Sequence, residues 1–271
     1  MVDLPLSATG QTAEDVAREC QRRASRIIRQ RFGGRPARRT IKGRGNFVTE
    51  TDLAVEKTVL SVLRREFPDH AVLSEETAQR VERWDRGWLW VVDPLDGTRN
   101  FARGIPIFAF NIALCRDGEP VLGLTHNPVT GEGFFAEAGR GLNVNGVPAR
   151  VSAAASLRDS VLGFGLGYDY ARAGRLLALL SNLWPGVETA FNIGSAALGL
   201  AYAASGRFDV YLHHQLFPWD MAAGVLQVRE AGGVIVDRDG RDVTIYSEGV
   251  IAGAAGPVRD LLAAARHQPW R

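Results

Sequence analysis

The stretch Trp88-Leu-Trp-Val-Val-Asp-Pro-Leu-Asp-Gly-Thr98 decides the fold of this 271-residue chain. Its first five residues form a short apolar run, which predicts a buried strand, and Asp93-Pro94 predicts a turn at the strand's carboxyl end. Asp96 follows three residues after Asp93, and Gly97-Thr98 resembles the start of a helix. The sequence therefore predicts two carboxylates that converge on one point, beside backbone N–H groups able to receive a phosphate.

Apolar residues at helical spacing precede this strand, and shorter apolar runs follow it. A capping box at Thr12 and Asp15 predicts a helix that ends near Gly33, residues 39–46 are expected to form a basic loop, and residues 52–67 a second helix. Three runs separated by turn dipeptides predict an antiparallel meander at 107–115, 120–126 and 133–137. The remaining chain predicts helices at 196–205, 221–231 and 261–266, and strands at 208–212, 233–237 and 250–252.

Composition and cysteine usage limit the class of protein. The formal net charge is +2, no apolar run reaches membrane-spanning length, and the first residues lack the basic and apolar regions of a signal peptide. Cys20 and Cys115 are far apart and form no CxxC pair. We therefore expect a cytoplasmic protein with no disulfide framework and no membrane contact.

The segment from Arg18 to Arg44 carries eleven Arg or Lys residues against one acid, Glu19. A solvated helix face followed by a basic loop is the favoured interpretation, and a patch for nucleic acid or anionic substrates is the alternative. Phe32 is the only aromatic residue in the segment that could stack on a base. Nucleic acid is therefore the less favoured partner.

Carboxylates stand at the ends of regular elements in four clusters, at 48–52, 73–76, 91–98 and 218–220. A single aspartate of this kind is usually a helix cap or a turn residue, but four clusters in one chain indicate a metal site. Hydrolysis of a dianionic phosphate monoester needs its charge neutralised and a water activated, and Mg²⁺ held by oxygen ligands does both. The clusters contain no His or Cys, which argues against zinc.

These motifs resemble those of the inositol monophosphatase family of Mg²⁺-dependent, lithium-sensitive phosphatases, which are usually homodimers. The resemblance covers about residues 42–252 and rests on NFVTETD (46–52), SEE (74–76), DPLDGTRNF (93–101), IGSAA (193–197) and WDMAAG (219–224). It implies an α/β (α+β) fold, the layered αβαβα sandwich of the inositol monophosphatase and fructose-1,6-bisphosphatase type. We expect an N-terminal lobe over 1–152 with the large sheet and most ligands. Residues 153–271 would form a second lobe, and the site would lie between the two in one compact unit.

The resemblance implies two or three Mg²⁺ ions. Glu75, Asp93 and the backbone carbonyl of Leu95 would hold the first ion. Asp93, Asp96 and Asp220 would hold the second. A phosphate monoester of inositol or a related small sugar is the implied substrate.

Further roles follow from the same resemblance. Thr98, supported by Asp52, would orient and deprotonate the attacking water, and the N–H groups of Gly97 and Thr98 would hold the phosphate. Glu75 would act in catalysis and also touch a third ion, which Asp52 would reach through water. Glu76 would lie close to the metals, and Lys42 matches a basic loop residue of the family only if one loop position is deleted.

Substrate contacts are implied for Asp96, Gly194, Ser195, Ala196, His213 and Asp220, and here the chain departs from the family pattern. The family commonly has one or two arginines where this chain has Phe191 and Asn192, and a glutamate at the position of His213. Asn46 and Ser74 replace a usual aspartate and glycine, but neither position is a metal ligand. We expect intact catalytic chemistry with relaxed substrate preference.

Alternatives remain at this point. A haloacid-dehalogenase-type phosphatase also has an Asp-Gly-Thr motif, but its nucleophile lies two residues before the second aspartate rather than three. A binding module that grips RNA or a protein through residues 18–44 is an alternative of another class. The same chemistry on fructose-1,6-bisphosphate, a nucleotide 3′-phosphate or histidinol phosphate is a third. His213 and His214 are expected to be a neutral pair at a pocket wall rather than metal ligands.

Overall fold

The computed structural model describes residues 3–34, 39–43, 46–78, 83–268 and 270. The first half of these residues forms β1 (Arg39–Gly43), β2 (Asn46–Thr49), β3 (Ala71–Ser74), β4 (Trp88–Asp96), β5 (Ala109–Arg116), β6 (Glu119–His126), β7 (Gly133–Glu137), β8 (Gly141–Val144), β9 (Val147–Ala149), α1 (Ala13–Arg31), α2 (Glu50–Glu66) and α3 (Thr98–Phe101). The second half forms β10 (Val161–Gly165), β11 (Thr189–Asn192), β12 (Val210–His213), β13 (Val234–Val236), β14 (Val250–Gly253), α4 (Tyr170–Leu183), α5 (Ala196–Ala204), α6 (Pro218–Glu230) and α7 (Ala255–Ala265).

Two sheets alternate with three helical layers. The larger sheet has the strand order β3-β4-β5-β6-β7-β8-β9, and the smaller one the order β11-β10-β12-β14-β13. Helices α1 and α2 cover the outer face of the larger sheet, α5 and α6 pack between the sheets, and α4 and α7 cover the outer face of the smaller sheet. This is the expected αβαβα sandwich.

The middle layer is apolar around the whole helix circumference, as a helix buried on both sides must be. Ten of the thirteen residues of α6 are buried. The helix also approaches the larger sheet closely, because a Cβ on Gly123 of β6 would lie 2.8 Å from the Cα atom of Ala223. Only glycine at position 123 permits that contact.

Side chains alternate along β4 and determine which way its carboxylates point. Trp90 and Val92 contact the α1–α2 layer, whereas Leu89 and Val91 contact α6. Asp93, next in the alternation, therefore lies on the α6 side. Because side chains alternate at every residue, a regular strand would place a residue three positions further on the opposite side.

A β-bulge between Asp93 and Asp96 changes this alternation. Asp93 pairs with Asn111 and Asp96 with Ala109, so three steps along β4 match two steps along β5. The extra residue returns Asp96 to the same side as Asp93. The three-residue spacing of the sequence motif is thus the spacing that a bulged strand needs.

Most elements expected from the sequence are confirmed, including the capping box of α1 and the meander β5–β7. The prediction of a loop over residues 39–46 is wrong where the structure describes it, because β1 and β2 pair as an antiparallel hairpin. Helices α6 and α7 begin earlier than expected, and β3, β10, α4 and β11 were not predicted. Arg35, Arg38 and Arg44 of the basic segment lie outside the described residues.

Among the described residues, every helix is too short or too polar to cross a membrane.

Candidate active site

Three aspartates meet where the larger sheet faces α6. One carboxylate oxygen from each of Asp93, Asp96 and Asp220 lies within 4.8 Å of the other two. The bulged end of β4 supplies the first two, and the first turn of α6 supplies the third. Pro218 at the first position of α6 and the side chain of Asp220, which accepts from the N–H of Phe217 at 2.7 Å, begin that helix.

The backbone and one hydroxyl orient these carboxylates. Asp96 accepts hydrogen bonds from the Ser195 hydroxyl and from the N–H groups of Ala196 and Ala197, each at 3.1 Å. The N–H group of Leu95 donates to Asp93 at 3.0 Å. The first turn of α5 therefore holds Asp96 in place through Ser195, Ala196 and Ala197.

Burial and mutual repulsion raise the pKa values of the cluster. Burial, then the charges of Glu75 and Asp96, raises the pKa of Asp93 well above its usual value. Burial raises the pKa of Asp96 to about 6, although its hydrogen bonds oppose the shift. The pKa of Asp220 is also raised well above normal, by burial and by Asp96. Buried carboxylates that repel one another in this way are stabilised by a divalent cation.

Thr98 lies beside the cluster in hydrogen-bond contact with Asp52. Its hydroxyl lies 3.0 Å from Asp52 Oδ1 and 2.9 Å from the Leu95 carbonyl oxygen. Asp52 is buried at the third position of α2, where its other oxygen accepts from the Thr49 N–H and hydroxyl. Gly97 has a φ of +87° and a Cβ there would lie 3.1 Å from the Ile107 carbonyl oxygen, so the turn requires glycine.

Glu75 and Glu76 line the open side of the cluster together with Lys42. The Lys42 ammonium lies 2.6 Å from a Glu76 oxygen and 3.6 Å from a Glu75 oxygen. Burial and the neighbouring Glu76 raise the pKa of Glu75 to about 7. The hairpin β1–β2 thus brings the ammonium group of Lys42 to these acidic groups.

Two connected cavities open onto these residues. The acidic cavity, of about 370 Å³, is lined by Lys42, Glu75, Glu76, Asp93, Leu95, Asp96, Thr98 and Asp220 among others. The adjoining cavity, of about 140 Å³, is lined by Gly165, Tyr168, Asn192, Gly194, Ser195, Ala196, Tyr211, His213 and Gln215 among others. They share Asp96, Gly97, Thr98, Tyr168, Phe217 and Asp220. The structure therefore brings the residues of the sequence prediction to one site.

Of the two histidines expected at a pocket wall, only His213 lines the adjoining cavity. His214 is fully buried behind it, with the two rings stacked and their centroids 5.6 Å apart. His213 Nδ1 accepts from the Gln215 N–H at 3.1 Å, which leaves Nε2 as the protonated nitrogen of the neutral ring. Burial lowers the pKa of His213 to about 3. Position 213 therefore offers a donor where the family glutamate would offer an acceptor.

Three further residues position the site without having been singled out from the sequence. Buried Glu56 on α2 accepts from the backbone N–H groups of Glu76 and Thr77, at 3.0 and 3.2 Å. Asn100 donates to the carbonyl oxygens of Ile107 and Ile193, both at 2.7 Å. Tyr168 forms a wall common to both cavities. Of these three residues, only Glu56 could have been noticed in the sequence, because it places a carboxylate on the apolar face of α2.

Comparisons with known proteins agree with this geometry. The family model described as "Inositol monophosphatase family" matches residues 10–271. The inositol-1-monophosphatase of Mesorhizobium japonicum is 39% identical over 228 residues, 84% of this chain and 85% of the relative. The Nus factor SuhB of Pasteurella multocida is 34% identical over 250 residues, 92% of this chain and 93% of the relative.

Solved structures show the same fold. The extragenic suppressor protein SuhB from Bartonella henselae superposes with a TM-score of 0.87 at 36% identity, covering 94% of this chain and 98% of that one. An inositol monophosphatase (IMPase) from Thermotoga maritima superposes with a TM-score of 0.84 at 31% identity, covering 93% and 96%. The chain belongs to the inositol monophosphatase family.

Proposed function

We propose that the protein is a Mg²⁺-dependent phosphomonoesterase that hydrolyses inositol monophosphate or a related small sugar-like phosphate by direct attack of water. The observation that carries the proposal is the group of three carboxylates within 4.8 Å of one another, beside the hydroxyl of Thr98. Buried oxygen ligands without nitrogen or sulfur donors suit Mg²⁺ rather than zinc.

Glu75, Asp93 and the Leu95 carbonyl would hold one ion, and Asp93, Asp96 and Asp220 a second. Glu75 and Asp52 would reach a third. When bound, these ions neutralise phosphate charge and lower the pKa of coordinated water.

The remaining steps belong to the chain itself. Thr98 would orient the attacking water and take one of its protons, while the Thr98 hydroxyl passes its own proton to Asp52, 3.0 Å away. As the P–O bond to the leaving group breaks, the leaving oxygen would take a proton from solvent. The N–H groups of Gly97 and Thr98 would hold the phosphate. Gly194, Ser195, Ala196 and His213 would enclose the leaving group in the adjoining cavity, whose volume of about 140 Å³ suits a small polyol.

A panel of phosphate monoesters, assayed with Mg²⁺ and with EDTA, tests the proposal. Inositol 1-phosphate, glycerol, sugar and histidinol phosphates, fructose-1,6-bisphosphate and a nucleotide 3′-phosphate cover the candidate leaving groups. Activity that survives EDTA would contradict the metal assignment. Rapid quench with labelled substrate separates direct attack from an aspartyl-phosphate route, because a hydroxylamine-sensitive phosphoenzyme would favour the haloacid-dehalogenase-type mechanism.

A second role is suggested by relatives of 34–36% identity that are named Nus factor SuhB. We propose that this chain combines phosphatase activity with binding of a transcription component, and that it is a cytoplasmic homodimer. Pull-down with the Asp93→Asn variant separates the two roles, since a binding role should survive the loss of that carboxylate. Light scattering after size exclusion tests the dimer.

A further inference from the structure

A second group of charged side chains lies on the opposite side of the larger sheet from the acidic cavity. Helix α1 borders a cavity of about 480 Å³, the arginine cavity, lined by Arg22, Arg23, Ser25, Arg26, Arg29 and His126 among others. Four guanidinium groups and no carboxylate stand in this lining. A site of this composition attracts anions.

The positive charge is only partly neutralised. Arg23 pairs with Glu19 at 2.6 Å, but the salt bridges of the described residues include neither Arg22 nor Arg26. Both side chains are exposed and stand four residues apart on one face of α1. Arg29 lies in the last turn of α1, where a positive charge is stabilised by the helix dipole. That attraction does not extend back to Arg22, so it does not explain a positive charge there.

The floor of the arginine cavity is an ordered set of neutral groups. The Gln21 amide lies 3.2 Å from the Ser25 hydroxyl, which lies 3.0 Å from His126 Nδ1. Burial, with a smaller effect of Arg29, lowers the pKa of His126 to about 4, so its ring is neutral at pH 7. With Ser25 donating to Nδ1, the other ring nitrogen carries the hydrogen and can donate to an anion.

A larger cavity of about 630 Å³, the polar cavity, shares Gln21 and His126 with the arginine cavity. Its lining includes the amides of Asn143 and Asn145 and several glycines. The Arg18 guanidinium lies 4.8 Å from the centre of the Phe135 ring, and both residues line this cavity. The two acids in its lining, Glu14 and Glu137, are each paired with an arginine at 2.7 and 3.0 Å.

We propose that the arginine and polar cavities together bind a single-stranded nucleic acid. Its phosphates contact Arg22, Arg26 and Arg29, and its bases enter the polar cavity, where amides can meet their edges and the Arg18 plane can stack on them. The positively charged arginine cavity lies beside the neutral lining of the polar cavity. This arrangement is complementary to a polymer that has a charged backbone and uncharged bases. A duplex keeps its bases paired and stacked, so they cannot enter the polar cavity. The inference is independent of the phosphatase proposal.

Fluorescence anisotropy with labelled 12-nucleotide single strands of RNA and DNA tests this on the full chain. The duplex of the same sequence and a polyglutamate peptide serve as comparison probes. The variant Arg22→Gln/Arg26→Gln is compared with the charge-matched control Arg175→Gln/Arg266→Gln, at one exposed arginine on α4 and one directly after α7. Inositol 1-phosphate hydrolysis with Mg²⁺, or a thermal melt where that substrate is inactive, checks that both variants fold.

The test variant should bind single strands about tenfold more weakly than the control, and its salt dependence should fall by a slope of about 1.4 in log–log units. Equal binding by both variants would overturn the proposal, as would equal affinity for the duplex. Preferential, Arg22- and Arg26-dependent binding of polyglutamate would also overturn it and assign the surface to an acidic protein.

Discussion

The acidic cavity and the adjoining cavity share several lining residues, but burial shifts the pKa values of their side chains in opposite directions. Burial raises the pKa of Glu75 to about 7 in the first and lowers the pKa of His213 to about 3 in the second. In both cases burial disfavours the charged form. The carboxylates repel one another, whereas the neutral ring of His213 accepts a hydrogen bond from the Gln215 N–H. The proposed function assigns a metal to the acidic cavity and an uncharged group to the adjoining one.

The Asp93→Asn change tests the acidic half and should have the largest effect. Activity with Mg²⁺ should fall by about a thousandfold or more, because the residue is expected to serve two ions. In EDTA the same variant should melt about 2–4 °C higher than the wild type, because one source of repulsion is removed. Added Mg²⁺ should stabilise the wild type more than the variant.

The control is Asp159→Asn, at an aspartate shortly before β10 whose side chain is 82% exposed. It should alter neither activity nor the response to Mg²⁺. A variant at position 93 that keeps full activity, or gains as much stability from Mg²⁺ as the wild type, would break the comparison.

Thr98→Val tests the role of a residue that lines both cavities. Loss of the hydroxyl that contacts Asp52 should lower kcat by about 10²–10³ with little change in KM, because its role is in the proton transfer. Thr98→Ser keeps the hydroxyl and should retain most activity. Equal kcat values for the valine and serine variants would remove Thr98 from the proposed mechanism.

The pH dependence of unfolding tests the neutral half. The pKa of His213 is about 3 in the folded protein against 6.5 for the free side chain, so the unfolded chain binds more protons between these values. Stability contributed by the neutral ring is therefore present above pH 6.5 and lost as the pH falls toward 3. Between pH 6.5 and 5 the loss should be about 1.6 kcal/mol.

In His213→Gln, the free energy of unfolding should depend less on pH by this amount. Urea unfolding in EDTA at pH 6.5 and pH 5 measures the difference. The carboxylates titrate in both proteins, so their contribution cancels in the difference. Parallel pH profiles would mean that the ring at position 213 titrates normally in the folded state.

The smallest effect is expected on substrate preference. Replacing the His213 donor by glutamate should raise the kcat/KM ratio of inositol 1-phosphate to glycerol phosphate by about tenfold, because the new acceptor can bind ring hydroxyls. His213→Gln controls for the loss of the imidazole. If the wild type already prefers inositol phosphate by more than about a hundredfold, position 213 does not relax specificity.

The acidic half could be predicted from sequence because its carboxylates lie in short motifs whose spacing reports the local backbone. The three-residue spacing of Asp93 and Asp96 corresponds to a β-bulge between them. Pro218 occupies the first position of the helix that carries Asp220. Glu56 and Asn100 were missed because their partners lie on other elements, at Glu76 and Ile193. Sequence periodicity does not record such contacts.

The errors in the fold have related causes. The sequence predicts a loop in place of the hairpin β1–β2 because all five residues of β1 are exposed, so that no apolar alternation marks the strand. The edge strand β11 is mostly exposed as well. Phe32 was considered for base stacking, but it packs against Phe101 and Phe108 with ring centroids 5.9 and 4.9 Å away.

The position of α6 between the two sheets constrains how the enzyme can move during turnover. This helix carries Asp220 at one end and packs along its length on strands of the larger sheet, while its neighbour α5 fixes Asp96. A hinge that separated the sheets would have to pull one carboxylate away from another and expose an apolar layer to water. We therefore expect substrate entry and product release through local motion of surface segments, so that turnover depends on side-chain and loop rearrangement rather than on lobe closure.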